Sequence, residues 1–503
     1  MGSEMCIRDR CKDVWNDKYR WDEESYEGMM RRVAYAVFAK DTSELGRAGR
    51  DEALELMNAN LWMPAGRILA GAGTPKRVTL LNCFVNDTLE DDMVSITQGL
   101  ANIMLTQQQG GGIGTDFSPL RPPRALLHRT GASASGPGPF MDTWDSACTT
   151  IRSSGDRRGA MMGTLICTHP FLPDFIKAKQ SPGVWTNFNV SVLITDAFMA
   201  AVAEDEEWTL HHQAEPNFVR PEELRKQDFY DDKKVLQYAY SVHRARDLWD
   251  QLMRSTYEYA EPGVIFIDRV NDLNNLQYCE EISCTNPCGE QPLPPNGCCD
   301  LGAVNISRMV KNPFSEDAEF DWALLRRTAK LGARFLDNVI DVTNYPLPQQ
   351  EAEEFAKRRI GVGISGLADA MHFLGMRYGS PKSIRFTEEV MKTIAIAVYE
   401  TGVELAIEKE PFPLFDAEKF CERPFIKQLP VELQQRIRKH GLRFGVGLTI
   451  APTGTTSIAY GNGSSGLEPV FAHSMSRRVR QHDGSFLPYT EVAFGARLWM
   501  ALN

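Results

Sequence analysis

VHRARDLWDQLMRSTYEYAEPGVIFID, Val242 to Asp268, contains both kinds of element that decide the fold. Up to Ala260 it reads as a helical stretch. After Pro262 the short apolar run GVIFID suits a strand covered on both faces. The same texture continues outward as VTLLNCFV (78–85), VSVLIT (190–195), GVGIS (361–365) and VGLTIA (446–451), with helical stretches over Asp321 to Val342 and Ser383 to Glu408. Strands alternating with helices predict an α/β barrel or an open α/β sheet. Ahead of this region, Met29, Met30, Val33, Ala34, Val37 and Phe38 recur at helical spacing, as do Ala53, Leu54, Leu56 and Met57. We therefore expect a helical N-terminal domain over 11–62 and a catalytic α/β domain over 63–503. Residues 1–10, MGSEMCIRDR, read as an assembly or tag remnant, which leaves Cys6 and Cys11 without a role.

The 503 residues, 43% hydrophobic, can bury a deep site. A formal net charge of -11 makes the surface a poor match for nucleic acid or an anionic membrane. No run reaches the roughly 20 apolar residues of a membrane span, and no secretory apolar core opens the chain, so a cytoplasmic protein is expected. Of 11 cysteines, Cys279, Cys284, Cys288, Cys298 and Cys299 crowd one short stretch. Clustered thiols in a reducing compartment point to catalysis or metal binding rather than disulfides.

Four loops are rich in Gly, Ser, Thr and Arg: 110–124, 129–138, 153–163 and 452–466. Small residues let backbone N–H groups approach a phosphate, and together the four make a nucleotide plausible. Gly461, Gly463 and Gly466 fit G-x-G-x-x-G but follow no apolar strand, and no G-K-[ST] ends a glycine loop. Dinucleotide dehydrogenases and Walker-type triphosphatases are disfavoured accordingly.

CTNPCGE, Cys284 to Glu290, places a thiol between an amide and a carboxylate on an irregular Pro- and Gly-marked loop. The carboxylate suits a general base and the amide suits the orientation of a substrate hydroxyl. Structural zinc would need paired cysteine knuckles, which these spacings fit badly. Cys148, Cys167 and Cys421 read as buried, inert thiols.

TNPCGEQPLPPNGCCDLGAVNIS (285–307), LLNCFV (80–85), GGGIGTDFSPLR (110–121) and APTGTTSIAYGNGSSGLEPVFA (451–472), in this order, resemble the large-subunit signatures of ribonucleotide reductases. The resemblance implies a ten-stranded α/β barrel, incomplete at its C-terminus. It also implies roles: Cys288 as the thiyl that takes the ribose 3′ hydrogen, Glu290 as base for the 3′-hydroxyl, and Asn286 as the amide that orients the sugar. Cys83 and Cys299 match the dithiol that delivers two electrons, with Cys298 a competitor and Cys284 a bystander. Pro452, Thr453, Gly454, Thr455 and Thr456 match the phosphate loop, while Asn82 and Gly112 match positions lining the substrate. SSGDRRGAMMG resembles the specificity loop, with Arg157 and Arg158 reading a bound deoxynucleotide effector.

Glu290 with Cys83 and Cys299 separates the chain from the glycyl-radical reductases. NPCGE, PTGTTS and CCDLGAVN resemble the adenosylcobalamin-dependent class; the alternative is the class that imports its radical from a partner subunit. No D-x-H-x-x-G signature is present, so cobalamin-contacting residues are not identified, and no protein-bound metal site is expected. A thioredoxin-like or other dithiol would re-reduce the enzyme, and two copies of the chain are compatible with the family. An activity-switching nucleotide cone is not expected, and PAGRILAGAGT lacks the usual Ser and Thr near the substrate, which removes expected contacts from Ala65 to Ile68. A glycyl-radical lyase would leave Asn286, Glu290 and Cys83 unexplained, and an inactive nucleotide sensor is the remaining alternative.

Overall fold

The structure is a computed structural model that describes residues 10–151, 159–461, 463–480 and 486–503. The first nine residues of the suspected remnant and the pair Arg157 and Arg158 lie outside the described residues. The chain divides into two compact units, 83–298 and the combination of 1–82 with 299–503.

In the 83–298 unit, strands Cys83–Val85, Gly112–Asp116, Met161–Ile166, Phe188–Ile194 and Gly263–Phe266 pair in chain order, every pair parallel. Parallel neighbours need a crossover. Helices Met93–Gln108, Gly138–Thr150 and Ala245–Tyr259 are among those that provide it. In Phe188–Ile194 successive positions are buried, from Val190 through Ser191, Val192, Leu193 and Ile194, as expected where both faces are covered. The α/β class and the strands in VTLLNCFV, VSVLIT and GVIFID are as the sequence indicates. The helix expected from Val242 begins only at Ala245, because Leu236–Arg244 forms a strand antiparallel to Glu207–His212. Val242 and His243 carry side chains compatible with either state, and pairing with Thr209 and Trp208 decides it.

The other unit opens with helices Arg10–Lys18, Tyr26–Val37 and Glu44–Asn58. Ser25 and Ser43 cap the second and third through hydrogen bonds to Gly28 and Gly46, and Met29, Met30, Val33, Ala34 and Val37 form the buried stripe. Cys11, set aside at the sequence level, is buried on the first helix. Strand Trp62–Pro64 runs antiparallel to 302–304, and Asp300–Asn305 pairs parallel with Ile360–Ser365. VGLTIA does not form a full strand; it lies beside Ile360–Ser365 through the Val362 to Leu448 bridge and the Thr449 amide bonded to the Val362 carbonyl at 3.2 Å. Helices Trp322–Val342 and Pro381–Lys409 match their expected spans to within a turn. No helix among the described residues is long and apolar enough to cross a membrane.

Candidate active site

A short hairpin builds the first part of the site. Cys284–Thr285 pairs antiparallel with Pro292–Leu293, so Asn286 to Gln291 form a loop closed at its base. Asn286 fixes that loop on both sides: its amide donates to the Gln291 carbonyl at 3.1 Å, and its Oδ1 accepts the Gln291 amide at 2.9 Å. Gly289 sits at φ +81°, a left-handed conformation that costs a residue with Cβ more than glycine. The thiol of Cys288 at this turn is exposed. Asn189 Nδ2 donates to the Pro287 carbonyl at 2.6 Å and anchors the turn from the Phe188–Ile194 strand.

The loop crosses the sheet where the sheet has no side chain. A Cβ at Gly114 would fall 1.9 Å from the Thr285 carbonyl oxygen, so the GGGIGT stretch supplies a crossing as well as a turn. Cys83 is paired in register with Gly112, which brings the two predicted positions side by side. Asn286 Nδ2 then lies 3.1 Å from Cys83 Sγ and 2.6 Å from Glu290 Oε2, while Cys83 Sγ is 3.9 Å from Glu290 Oε1. Cys83, Asn286 and Glu290, remote or irregularly spaced in sequence, thus form one hydrogen-bonded cluster. An amide donor held on a carboxylate keeps that carboxylate ready to accept a proton from a hydroxyl placed beside it.

Beneath this cluster is a group that sequence reasoning missed. Asp116 Oδ1 accepts from the Ser118 amide at 3.1 Å, Ser118 Oγ at 2.6 Å and Thr164 Oγ1 at 3.2 Å. Burial pushes the Asp116 carboxyl up to about 6 despite these donors. Burial, with Asp116 adding to it, pushes the neighbouring Cys284 thiol up to about 12, which keeps it protonated. The Asp in GTDFS was quoted as part of a glycine loop, and only the fold shows its enclosure. Cys148, Cys167 and Cys421 are buried, their thiols raised by burial, Cys148 to about 11.

Of the remaining predicted positions, Asn82, Cys299 and Pro452 to Thr456 belong to the other unit, and Cys298 is the last residue of the 83–298 unit. The Asn82 amide donates to the Cys299 carbonyl at 3.4 Å, and Asn82 Oδ1 is buried with no hydrogen-bond partner among the described residues. Cys298 and Cys299 are both buried in strand Cys298–Asn305, where consecutive side chains take opposite faces. Cys299 Sγ donates to the Asp300 carbonyl at 3.1 Å.

Pro452 to Thr456 turns from the segment beside Ile360–Ser365 into the short helix Gly454–Ala459. Thr453 adopts φ +50°, a left-handed conformation costing about 1 kcal/mol, and is held there through its hydroxyl. Its Oγ1 accepts the Gly466 amide at 3.1 Å and lies 3.4 Å from Ser365 Oγ. Pro452, Gly454 and Thr455 are exposed. Ser365, Ser464 and Asp369, which secure this loop from below, were not identified from sequence, although SSG and GVGIS contain two of them.

The ribonucleotide reductase barrel domain matches residues 81–495 of this chain. The vitamin B12-dependent ribonucleoside-diphosphate reductase of Mycobacterium tuberculosis (strain CDC 1551 / Oshkosh) is 34% identical over 91% of the chain and 60% of its own length. The protein of the same description from Thermoplasma acidophilum is 34% identical over 92% of the chain and 54% of its own length. The ribonucleoside-diphosphate reductase large subunit of Variola virus is 26% identical over 90% of the chain and 60% of its own length. The chain therefore spans about 60% or less of these relatives.

Proposed function

The chain belongs to the ribonucleotide reductase barrel family, and from that premise we propose that the protein reduces ribonucleoside diphosphates to 2′-deoxyribonucleotides for DNA synthesis. The observation that carries this reading is the cluster in which Asn286 reaches both Cys83 and Glu290, with the exposed thiol of Cys288 on the same loop.

The residues divide the reaction among them. A thiyl radical on Cys288 takes the 3′ hydrogen of the ribose, and Glu290 accepts the 3′-hydroxyl proton while Asn286 holds the sugar hydroxyls in place. A radical at C3′ labilises the adjacent C–O bond, so the 2′-hydroxyl leaves as water. Cys83 and Cys299 supply two electrons and two hydrogens, one going to the departing hydroxyl as it becomes water and one to C2′, and close to a disulfide; Glu290 then returns its proton to the 3′-oxygen and Cys288 its hydrogen to C3′. The hydroxyls and amides of Pro452 to Thr456 receive the diphosphate, and Asn82 and Gly112 line the sugar; the unsatisfied Asn82 Oδ1 is suited to a substrate hydroxyl. Arg157 and Arg158 read a deoxynucleotide effector. A cytoplasmic dithiol of the thioredoxin kind restores the cysteine pair, and the protein works as a homodimer.

The cofactor in this reading is adenosylcobalamin. Cobalamin carries its cobalt in its own ring and asks of the protein an accessible reacting thiol, a demand that the exposed Cys288 meets. When bound it would supply the radical that Cys288 uses. The chain's share is to expose that thiol on an anchored turn while Cys83 stays buried.

The test is an anaerobic assay of the full-length protein with a ribonucleoside diphosphate, a dithiol and adenosylcobalamin. Deoxynucleotide formation without a second protein is expected. Turnover that ignores cobalamin and appears only with a metal-loaded partner subunit would replace the cofactor part of the proposal.

A further inference from the structure

Beyond the crossing at Gly114, the next residue on the same face of strand Gly112–Asp116 is Asp116, which pairs in register with Thr164. Both belong to the 83–298 unit, as does the hairpin that crosses there. Thr164 is fully buried, and its hydroxyl has one hydrogen for two acceptors at the same distance: Asp116 Oδ1 and the Ser283 carbonyl oxygen are each 3.2 Å from Oγ1. The two acceptors differ in need. Asp116 Oδ1 already takes the Ser118 hydroxyl at 2.6 Å and the Ser118 amide at 3.1 Å, and Ser118 Oγ is itself fixed by the Ile166 amide at 2.8 Å. Ser283 immediately precedes Cys284–Thr285, so its carbonyl lies at the base of the hairpin that carries Asn286, Cys288 and Glu290.

We propose that Thr164, steered by Asp116, is a positioning residue for the reaction: its hydroxyl ties the hairpin base to strand Met161–Ile166 when its hydrogen goes to Ser283, and releases it when the hydrogen goes to Asp116. The proton on Asp116 chooses between them. A carboxylate accepts hydrogen bonds about twice as strong as those of a neutral acceptor, so ionised Asp116 captures the Thr164 hydrogen. A protonated carboxyl becomes a donor, its proton is available to Thr164 Oγ1, and the Thr164 hydrogen turns to Ser283. Burial holds the Asp116 carboxyl at about 6, which puts this exchange in an accessible pH range. Of the elements packed on Asp116, strand Met161–Ile166 presents Thr164 and the hairpin presents Cys284, whose thiol, pushed up to about 12, stays protonated throughout. A tight hairpin below pH about 6 and a looser one above it follow.

Opening of the hairpin frees the Asn286 and Gln291 amides, which are bonded across it, so amide hydrogen exchange over residues 283–293 reads the tether directly. Exchange is followed by mass spectrometry on the full-length protein from pH 5 to 8, as protection relative to intrinsic rates, without nucleotide or cobalamin. Protection in the parent is expected to fall about fivefold between pH 5 and 7, the effect of one hydrogen bond. Asp116→Asn, which cannot ionise, removes the step. Thr164→Val, of nearly the same shape without the hydroxyl, removes it too and keeps protection low, whereas Thr164→Ser restores it.

The consequence for turnover rests on the reductase reading above. Thr164→Val is expected to lower kcat about tenfold at pH 6 with KM near that of the parent, because a loosened hairpin misplaces the reacting groups without removing a substrate contact. Thr164→Ser recovers most of the loss. The proposal is overturned by a parent without the exchange step, by a step that persists in Asp116→Asn or Thr164→Val, or by a Thr164→Val kcat within threefold of an active parent. If Thr164→Val does not fold, Asp116→Asn and Thr164→Ser decide. A parent that shows the exchange step yet makes no deoxynucleotide counts against the reductase reading alone and leaves the tether standing.

Discussion

Asn286 Nδ2 stands 3.1 Å from the sulfur of Cys83, a residue just over two hundred positions earlier in the chain, while the same nitrogen is 2.6 Å from Glu290. One amide thus organises a thiol and a carboxylate before any substrate arrives. A polar group already placed where charge develops costs no reorganisation during reaction.

Asn286→Ala is accordingly expected to lower kcat/KM by about 10²-fold, the usual effect of deleting one preorganised donor. It also deprives the Gln291 amide of its acceptor. Steady-state kinetics checks this, and a variant within threefold of the parent would show that Asn286 only braces the loop.

Cys288→Ser should abolish deoxynucleotide formation while nucleotide affinity and the unfolding midpoint stay close to the parent. The thiol is exposed, and exposed substitutions usually alter stability by less than about 0.5 kcal/mol. Product analysis beside a binding isotherm separates the two effects.

A single turnover without external reductant should leave a disulfide between Cys83 and Cys299, which requires their Cα atoms within roughly 7 Å. Peptide mapping identifies the pair. Recovery of a Cys83–Cys298 disulfide instead would move the electron-delivering role one residue along the strand.

Gly114→Ala is expected to destabilise the protein by about 1–3 kcal/mol, since the new methyl would sit 1.9 Å from the Thr285 carbonyl oxygen and push the hairpin off the sheet. Thermal or denaturant unfolding measures this, and activity should fall with it.

The Asp116 carboxyl, raised from its ordinary 3.8 to about 6, binds a proton more readily in the folded state than in the unfolded one. Its contribution to stability is present below pH about 4 and is lost as pH rises through about 6. Asp116→Asn should therefore flatten the fall in stability between pH 4 and 7, as read by denaturant midpoints; an unchanged slope would assign that fall to another group.

Much of the architecture was legible from local pattern. VSVLIT is a short run with Val190, Ser191, Val192, Leu193 and Ile194 buried on both faces, and GVIFID is a similar run whose strand is only half-buried, with Phe266 exposed; both runs are visible without coordinates. Where pattern was ambiguous, pairing decided. Val242 and His243 join a strand because Glu207–His212 lies alongside, and VGLTIA forms only a bridge to Val362 rather than a full strand. Asp116, at the end of a strand, and Asp369, in a helix, stayed hidden for another reason: an acidic residue is ordinarily solvated, and only the surrounding fold removes its water.

The sequence by itself determined which chemistry is available: a thiol, an amide and a carboxylate within CTNPCGE, a hydroxyl-rich turn in PTGTTS, and an α/β series to carry them. These are local properties, expressed in side-chain type and spacing. The tertiary structure alone decided which groups meet. Cys83 reaches Asn286 because its strand pairs with Gly112–Asp116 and the hairpin crosses that strand at Gly114, where no side chain blocks the Thr285 carbonyl. Register and close packing are set by contacts between segments far apart in the chain, so no local reading of either segment contains them.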